Sequence, residues 1–148
     1  MAEKTDMDEM IRTLADFPED VRKKMILDRF KIIAAQPEEQ RVESVKAMIL
    51  AVYKLDPEKK KEFIRTRTNA LVEAPPQVRQ TIQIASVKAG TQVPEEVNQS
   101  DMMNVLEAYM EWPKEKHQKF VDNPAGVFLV LCPQLLKKYS MECSLDWL

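Results

Sequence analysis

The chain has 148 residues, of which 45% are hydrophobic and 31% are charged. This composition predicts one compact domain over residues 1–148 and excludes an intrinsically disordered chain, because folding can bury a sizeable apolar core. The 22 basic and 24 acidic side chains give a net charge of -2, which excludes nucleic-acid or membrane binding driven by the charge of the whole molecule.

Seven of the nine prolines recur at intervals of 18 to 20 residues. They are Pro18, Pro37, Pro57, Pro75, Pro94, Pro113 and Pro133. Most are followed by acidic or amide residues, as is typical of a helix start. Proline at the first helical position loses no hydrogen bond, and carboxylates in the first turn face the positive end of the helix dipole. The spacing therefore predicts an all-α protein with one helix per proline, about seven to eight in total.

The first two predicted helices differ in their apolar surfaces. The first, over residues 6–16, has one narrow apolar stripe and is expected on the outside of the domain. The second, over residues 18–35, has two apolar sides. One side carries Ile26, Phe30 and Ile33, and the other carries Val21, Met25 and Ile32. Two apolar sides predict that neighbouring elements cover this helix on both flanks.

The third and fourth predicted helices contrast in the same way. The third, over residues 37–55, has a broad apolar stripe opposite a charged face. The stripe consists of Val42, Val45, Met48, Ile49, Val52 and Tyr53. The fourth, over residues 57–73, contains the polar run Arg-Thr-Arg-Thr-Asn at residues 65–69. Its middle turn is therefore expected to contribute little to the core.

The remaining elements are also predicted as helices. Pro75 and Pro76 end the fourth helix, and Gly90 is expected to stop the fifth. The sixth, over residues 94–112, is apolar around most of its circumference and is expected to be central. Beyond Pro113, the sequence predicts a short segment over residues 114–121, a buried helical turn over 126–132 and a final helix over 134–148.

Two arrangements of these helices fit the proline spacing. A helix pair of about 38 residues falls among the periods of helix-pair solenoids. A solenoid should also repeat its side chains, yet only the first positions after each proline recur. Arg22, Arg41, Lys61 and Arg79 share one such position, and later positions drift. A compact multi-helix bundle is therefore favoured, with a short α-solenoid as the alternative.

Several classes of site are excluded by missing residues. Gly90 and Gly126 are the only glycines, so no glycine-rich loop can hold a phosphate. His117 is the single histidine, which excludes any metal site that requires two imidazoles. Cys132 and Cys143 have no metal-ligand spacing, and neither lies in a nucleophile signature. We therefore expect no catalytic residue, no metal and no cofactor. The sequence favours a non-enzymatic protein but does not decide whether the chain is an enzyme.

The sequence also favours a location. Sparse cysteines and the lack of an apolar leader segment favour a reducing setting, so a cytoplasmic protein is expected. The longest apolar run, residues 125–132, is far shorter than the ~20 residues that span a bilayer. No membrane span is therefore predicted.

One basic cluster could bind an anionic ligand. It consists of Lys59, Lys60, Lys61, Arg65 and Arg67 on the fourth helix. Clustered cations can neutralise phosphates or an acidic partner. The alternative is that acidic residues of the N-terminal segment, such as Asp8 and Asp16, neutralise this helix within the molecule or between copies.

The C-terminal residues Leu145, Trp147 and Leu148 form a second candidate site, because an apolar tail can insert into a groove of another protein. The same tail could instead dock on its own bundle. Our leading interpretation is a non-enzymatic protein–protein interaction or scaffold module that uses an apolar helix groove, this tail, or both. The alternatives are a binder of an anionic ligand or nucleic acid through the basic cluster, and a helical enzyme or small-molecule carrier.

Overall fold

The computed structural model describes residues 2–113 and Glu115, with side chains from Asp6 onwards. These residues form six helices and no strand. The helices are α1 (Ala2–Ala15), α2 (Glu19–Ala34), α3 (Glu38–Tyr53), α4 (Pro57–Glu73), α5 (Pro76–Gly90) and α6 (Glu95–Met110). The all-α prediction is confirmed. The elements predicted beyond residue 113 lie outside the described residues, so the described part has fewer helices than the seven to eight expected.

The prolines stand at the helix starts, but most of them lie one position earlier than predicted. Pro18, Pro37, Pro75 and Pro94 are N-cap residues, and each helix begins at the next residue. Only Pro57 and Pro76 lie inside the first turn. An N-cap residue is extended, as Pro18 is with φ -55° and ψ 149°, and proline fixes φ in that range.

Each helix packs most extensively on a helix two places away from it in the chain, before or after it. α1 packs on α3 and α3 on α5, while α2 packs on α4 and α4 on α6. The odd-numbered and even-numbered helices therefore form two rows. The two rows also contact each other, because α2 packs on α5 and α3 packs on α6. These cross-contacts make a compact bundle, because the helix pairs of an extended solenoid contact only adjacent pairs.

The core is continuous through α1 to α5 and reaches the start of α6. Its largest fully buried apolar side chains are Phe30, Phe63, Ile11, Ile26, Ile33, Ile64 and Ile82. The third helix buries its predicted stripe with one exception. Tyr53 is exposed, and the ammonium of Lys60 lies 4.6 Å from the centre of its ring.

The middle of α4 is buried, which corrects the expectation that its polar run contributes little to the core. Thr66 and Thr68 are almost completely shielded from solvent. Thr66 donates its hydroxyl to the carbonyl oxygen of Glu62 at 3.0 Å, and Thr68 donates to that of Ile64 at 2.7 Å. A threonine whose hydroxyl is satisfied four residues back can be buried like valine.

Gly90 makes room for a side chain at the connection between α5 and α6. It is the last residue of α5, and the C-cap is Thr91 in a right-handed helical conformation. A Cβ atom at Gly90 would lie 2.6 Å from Oδ1 of Asn98 on α6. The glycine therefore permits close approach of the Asn98 side chain, whereas the sequence had suggested a role in stopping the helix.

Candidate functional site

The basic cluster of α4 faces other parts of the same chain. Four of its members form ion pairs: Lys59 with Asp16 at 2.7 Å, Lys61 with Glu107 at 3.0 Å, Arg65 with Glu111 at 3.1 Å and Arg67 with Asp101 at 2.9 Å. The fifth, Lys60, lies over the Tyr53 ring. An anionic ligand would have to compete with four carboxylates already in place. Anion binding by this cluster stays a prediction from sequence.

The acidic N-terminal segment supplies one of these partners and also pairs with a lysine outside the cluster. Asp16 contacts Lys59, and Asp8 contacts Lys54 at 2.7 Å. The hydrogen bond and negative charge of Asp16 raise the pKa of Lys59 above its usual value. At the start of α3, a lysine shifts the pKa of a carboxyl group in the opposite direction. The hydrogen bond and positive charge of Lys88 lower the pKa of Glu38. The contact of Asp16 with Lys59 agrees with the alternative in which the N-terminal segment faces the α4 cluster, but the other three carboxylates that pair with the cluster lie on α6 or directly after it.

Arg67 and Asp101 form the most shielded of these pairs. Their side chains are only 12% and 15% exposed. Nη2 of Arg67 donates to Oδ2 of Asp101 at 2.9 Å, and Nη1 lies 2.9 Å from Oδ1. Breaking a pair this shielded from one side costs more than breaking a surface ion pair, because the remaining charge is left buried without its partner. We assign it a structural role.

Of the cations whose side chains the structure describes, Arg22 is the most deeply buried, and it bonds the C-terminal end of the preceding helix. It is 5% exposed at the start of α2. Nη1 donates to the carbonyl oxygens of Ala15 at 3.2 Å and Phe17 at 3.1 Å, and Nε donates to Oγ1 of Thr66 at 3.0 Å. The last carbonyls of a helix have no partner within it, and a cation there also faces the negative end of the dipole.

Arg79 repeats this arrangement at the start of α5. Nη1 donates to the carbonyl oxygens of Val72 at 3.1 Å and Ala74 at 3.4 Å, at the end of α4. Arg22 and Arg79 each follow an N-cap proline by four residues and reach carbonyls seven and five residues back. Both buried charges are therefore accounted for by helix ends rather than by a ligand.

The second apolar side of α2 is exposed, which contradicts the prediction of neighbours on both flanks. Ile26, Phe30 and Ile33 are buried on one side as expected. On the other side Val21 is 42%, Met25 42% and Ile32 53% exposed. We call these three residues the α2 stripe. Scattered exposed apolar residues are normal, but three on one helix face form a patch that calls for an explanation.

Cations lie along the α2 stripe. Lys24 and Lys31 are exposed on one side of it, and Arg29 is half-buried on the other. None of the three forms an ion pair, in contrast to four of the five cations of the α4 cluster. Nε of Arg29 is buried without a hydrogen-bond partner. In the described part of the chain, three cations without an ion-pair partner therefore lie beside an exposed apolar surface, although Arg12 on α1 and Lys46 on α3 form no ion pair either.

Other exposed apolar side chains do not form a comparable patch. Ile84 on α5, Met110 at the end of α6 and Tyr53 at the end of α3 are each the only large apolar residue exposed on its helix. Residues 6–113 also contain no group of histidine, cysteine and carboxylate side chains that could hold a metal ion. No helix of the described residues is long and apolar enough to cross a bilayer.

The remaining sites predicted from sequence cannot be placed. Leu145, Trp147 and Leu148 of the candidate tail lie outside the described residues, as do His117, Cys132 and Cys143. The tail stays a prediction. Sequence reasoning missed the α2 stripe as a surface, although it identified the three residues as one side of the helix.

Burial raises the pKa of Tyr109 on α6 to about 12. The phenol of an unfolded chain ionises near pH 10. The contribution of protonated Tyr109 to the free energy of unfolding is therefore complete below about pH 10. It is lost as the pH rises towards about 12, because in this interval the unfolded state releases the proton and the folded state does not. A Tyr109→Phe variant should lose less stability over this interval in urea titrations. A near-ultraviolet phenolate signal at about pH 10 that Tyr109→Phe removes would contradict the expectation.

No protein-family model, curated protein or solved structure matches this chain.

Proposed function

We propose that this chain is a non-enzymatic protein–protein interaction module whose binding surface includes the α2 stripe. The observation that carries the proposal is the exposure of Val21, Met25 and Ile32 on a helix whose opposite side is fully buried. Apolar surface grouped on one face gains free energy when a partner removes it from water.

The charged groups of the described residues support the same assignment. The basic cluster of α4 is neutralised within the chain, and Arg22 and Arg79 bond helix ends. A catalytic site instead brings together titratable groups that are free to act on a substrate. Among the described residues, the α2 stripe is the largest group of exposed apolar side chains on one helix.

Photo-crosslinking from Met25 tests the proposal. A photoreactive amino acid in place of Met25 in cells of the native source should give a discrete crosslinked protein. Val21→Ser with Ile32→Ser should abolish that product, because both exposed contacts are lost without disturbing the core. The matched control places the photoreactive residue at Ile84, which is similarly exposed on α5. The same pattern of products from positions 25 and 84 would refute the proposal.

A further inference from the structure

The α2 stripe has the spacing of a seam for a single helix. Val21, Met25 and Ile32 are separated by four and seven residues, and Asp28 occupies the intermediate position. Positions that alternate by four and three residues align along one face of a helix, as in a coiled coil. From Val21 to Ile32 the seam is roughly 17 Å long, because each helical residue rises about 1.5 Å. It therefore suits a partner helix of about three turns.

The flanking charges specify the partner's chemistry. Lys24 and Lys31 border the seam on one side, Arg29 borders it on the other, and none of them has an ion-pair partner. Residues at these positions face the flanking residues of a partner helix. Acidic flanks on the partner would pair with these cations, whereas basic flanks would place like charges side by side.

The same charges argue against a second copy of α2 as the occupant. In an antiparallel pair centred on Met25 and Asp28, Lys24 of one copy would face Lys31 of the other. A parallel pair would bring Lys24 towards Arg29. Both orientations juxtapose cations, which disfavours self-pairing.

Asp28 argues against an anionic membrane. It lies in the middle of the seam and is exposed. An amphipathic helix that enters a bilayer needs a wide, uncharged apolar face, and here the apolar face is three residues with a carboxylate among them. Within a helix pair, a single polar residue in the seam instead fixes the register of the partner.

We propose that the α2 stripe binds an amphipathic helix of another protein, with acidic residues on both flanks of its apolar face. This inference rests on the proposed function and names its partner class. In such a complex Val21, Met25 and Ile32 contact the partner's apolar face, and Lys24, Arg29 and Lys31 pair with its carboxylates. A basic or amide residue of the partner lies opposite Asp28.

Two designed helical peptides of about four turns test the inference by fluorescence anisotropy. They share the same apolar face, and one has glutamate flanks where the other has lysine flanks. The full chain should bind the glutamate peptide at least about tenfold more tightly than the lysine peptide, since several exposed charge pairs of a few tenths of a kcal/mol each together approach 1.4 kcal/mol. This preference should shrink as salt is added.

Three variants locate the binding surface. Val21→Ser, Met25→Ser and Ile32→Ser together should abolish binding of the glutamate peptide. Lys24→Glu with Lys31→Glu should reverse the preference between the two peptides. Arg12→Glu with Lys46→Glu changes the net charge equally on α1 and α3, and should leave the preference unchanged. Unchanged far-ultraviolet circular dichroism and melting confirm that all three variants remain folded.

The outcomes separate this inference from the proposed function. Equal binding of the two peptides, or vesicles of anionic phospholipid that bind the chain through the same three apolar residues, would overturn the acidic-helix inference. A crosslink from position 25 to a second copy of the chain, or to a protein segment without acidic flanks, would retain the interaction function but overturn the inference. Failure of both the peptide and crosslinking experiments would overturn both.

Discussion

Arg22→Ala is expected to lower the free energy of unfolding by about 3 to 4 kcal/mol. The substitution removes the hydrogen bonds from Arg22 to the carbonyls of Ala15 and Phe17 and to the hydroxyl of Thr66. It leaves these acceptors without that donor and creates a cavity between α1, α2 and α4. Urea denaturation followed by circular dichroism measures this loss. The urea concentration at the midpoint should fall, while the dependence of the free energy of unfolding on urea concentration stays the same.

Three further variants make this experiment specific. Arg22→Lys keeps the charge but not the forked geometry, so it should recover only part of the loss. Arg79→Ala should also destabilise the chain, because Arg79 bonds the end of α4 in the same way. Arg12→Ala, on an exposed part of α1, should stay within about 0.5 kcal/mol of the parent. An Arg22→Ala variant as stable as Arg12→Ala would contradict the assigned role.

Arg67→Leu is expected to cost about 2 to 3 kcal/mol, because it leaves the shielded carboxylate of Asp101 without its partner. The double variant Arg67→Leu with Asp101→Leu should recover most of this loss, since no unpaired charge remains between α4 and α6. Urea denaturation of both single variants and the double variant gives the coupling between the two side chains. Equal destabilisation by Arg67→Leu and by the double variant would exclude an unpaired charge as the cause.

The exposed pair of Lys23 and Glu73 provides the control. It also joins two helices, α2 and α4, at 3.2 Å, but its side chains are 37% and 43% exposed. Lys23→Ala should therefore change stability by less than about 1 kcal/mol. A loss as large as that of Arg67→Leu would show that burial does not determine the strength of these pairs.

The helices were predictable because their signals are local. An N-cap proline followed by Glu38 and Glu39, or by Glu95 and Glu96, fixes where a helix begins whatever it later packs against. The predicted bounds of α4 agree with the structure at both ends. Those of α1 differ most, because its first turn, at Ala2, has no proline to mark it.

The environment of the side chains was less predictable, because it depends on which helices become neighbours. The buried Thr66, for example, accepts a hydrogen bond from Arg22 of α2 across 44 residues of sequence. Arg22, Arg41, Lys61 and Arg79 occupy the same position after a proline. Yet Arg22 and Arg79 are buried, Arg41 is half-buried and Lys61 is exposed. The local pattern of α2 likewise could not show which of its apolar sides would remain open.

Because each helix packs mainly on helices two places away in the chain, the protein can gain or lose helices only in certain numbers without rearranging this packing. Excising one helix with its connection, roughly 19 residues, would transfer every later helix to the other row and exchange its buried and solvated faces. Excising two adjacent helices would preserve this parity. A change in length of about 38 residues therefore keeps each later helix in its own row, whereas a change of about 19 residues does not.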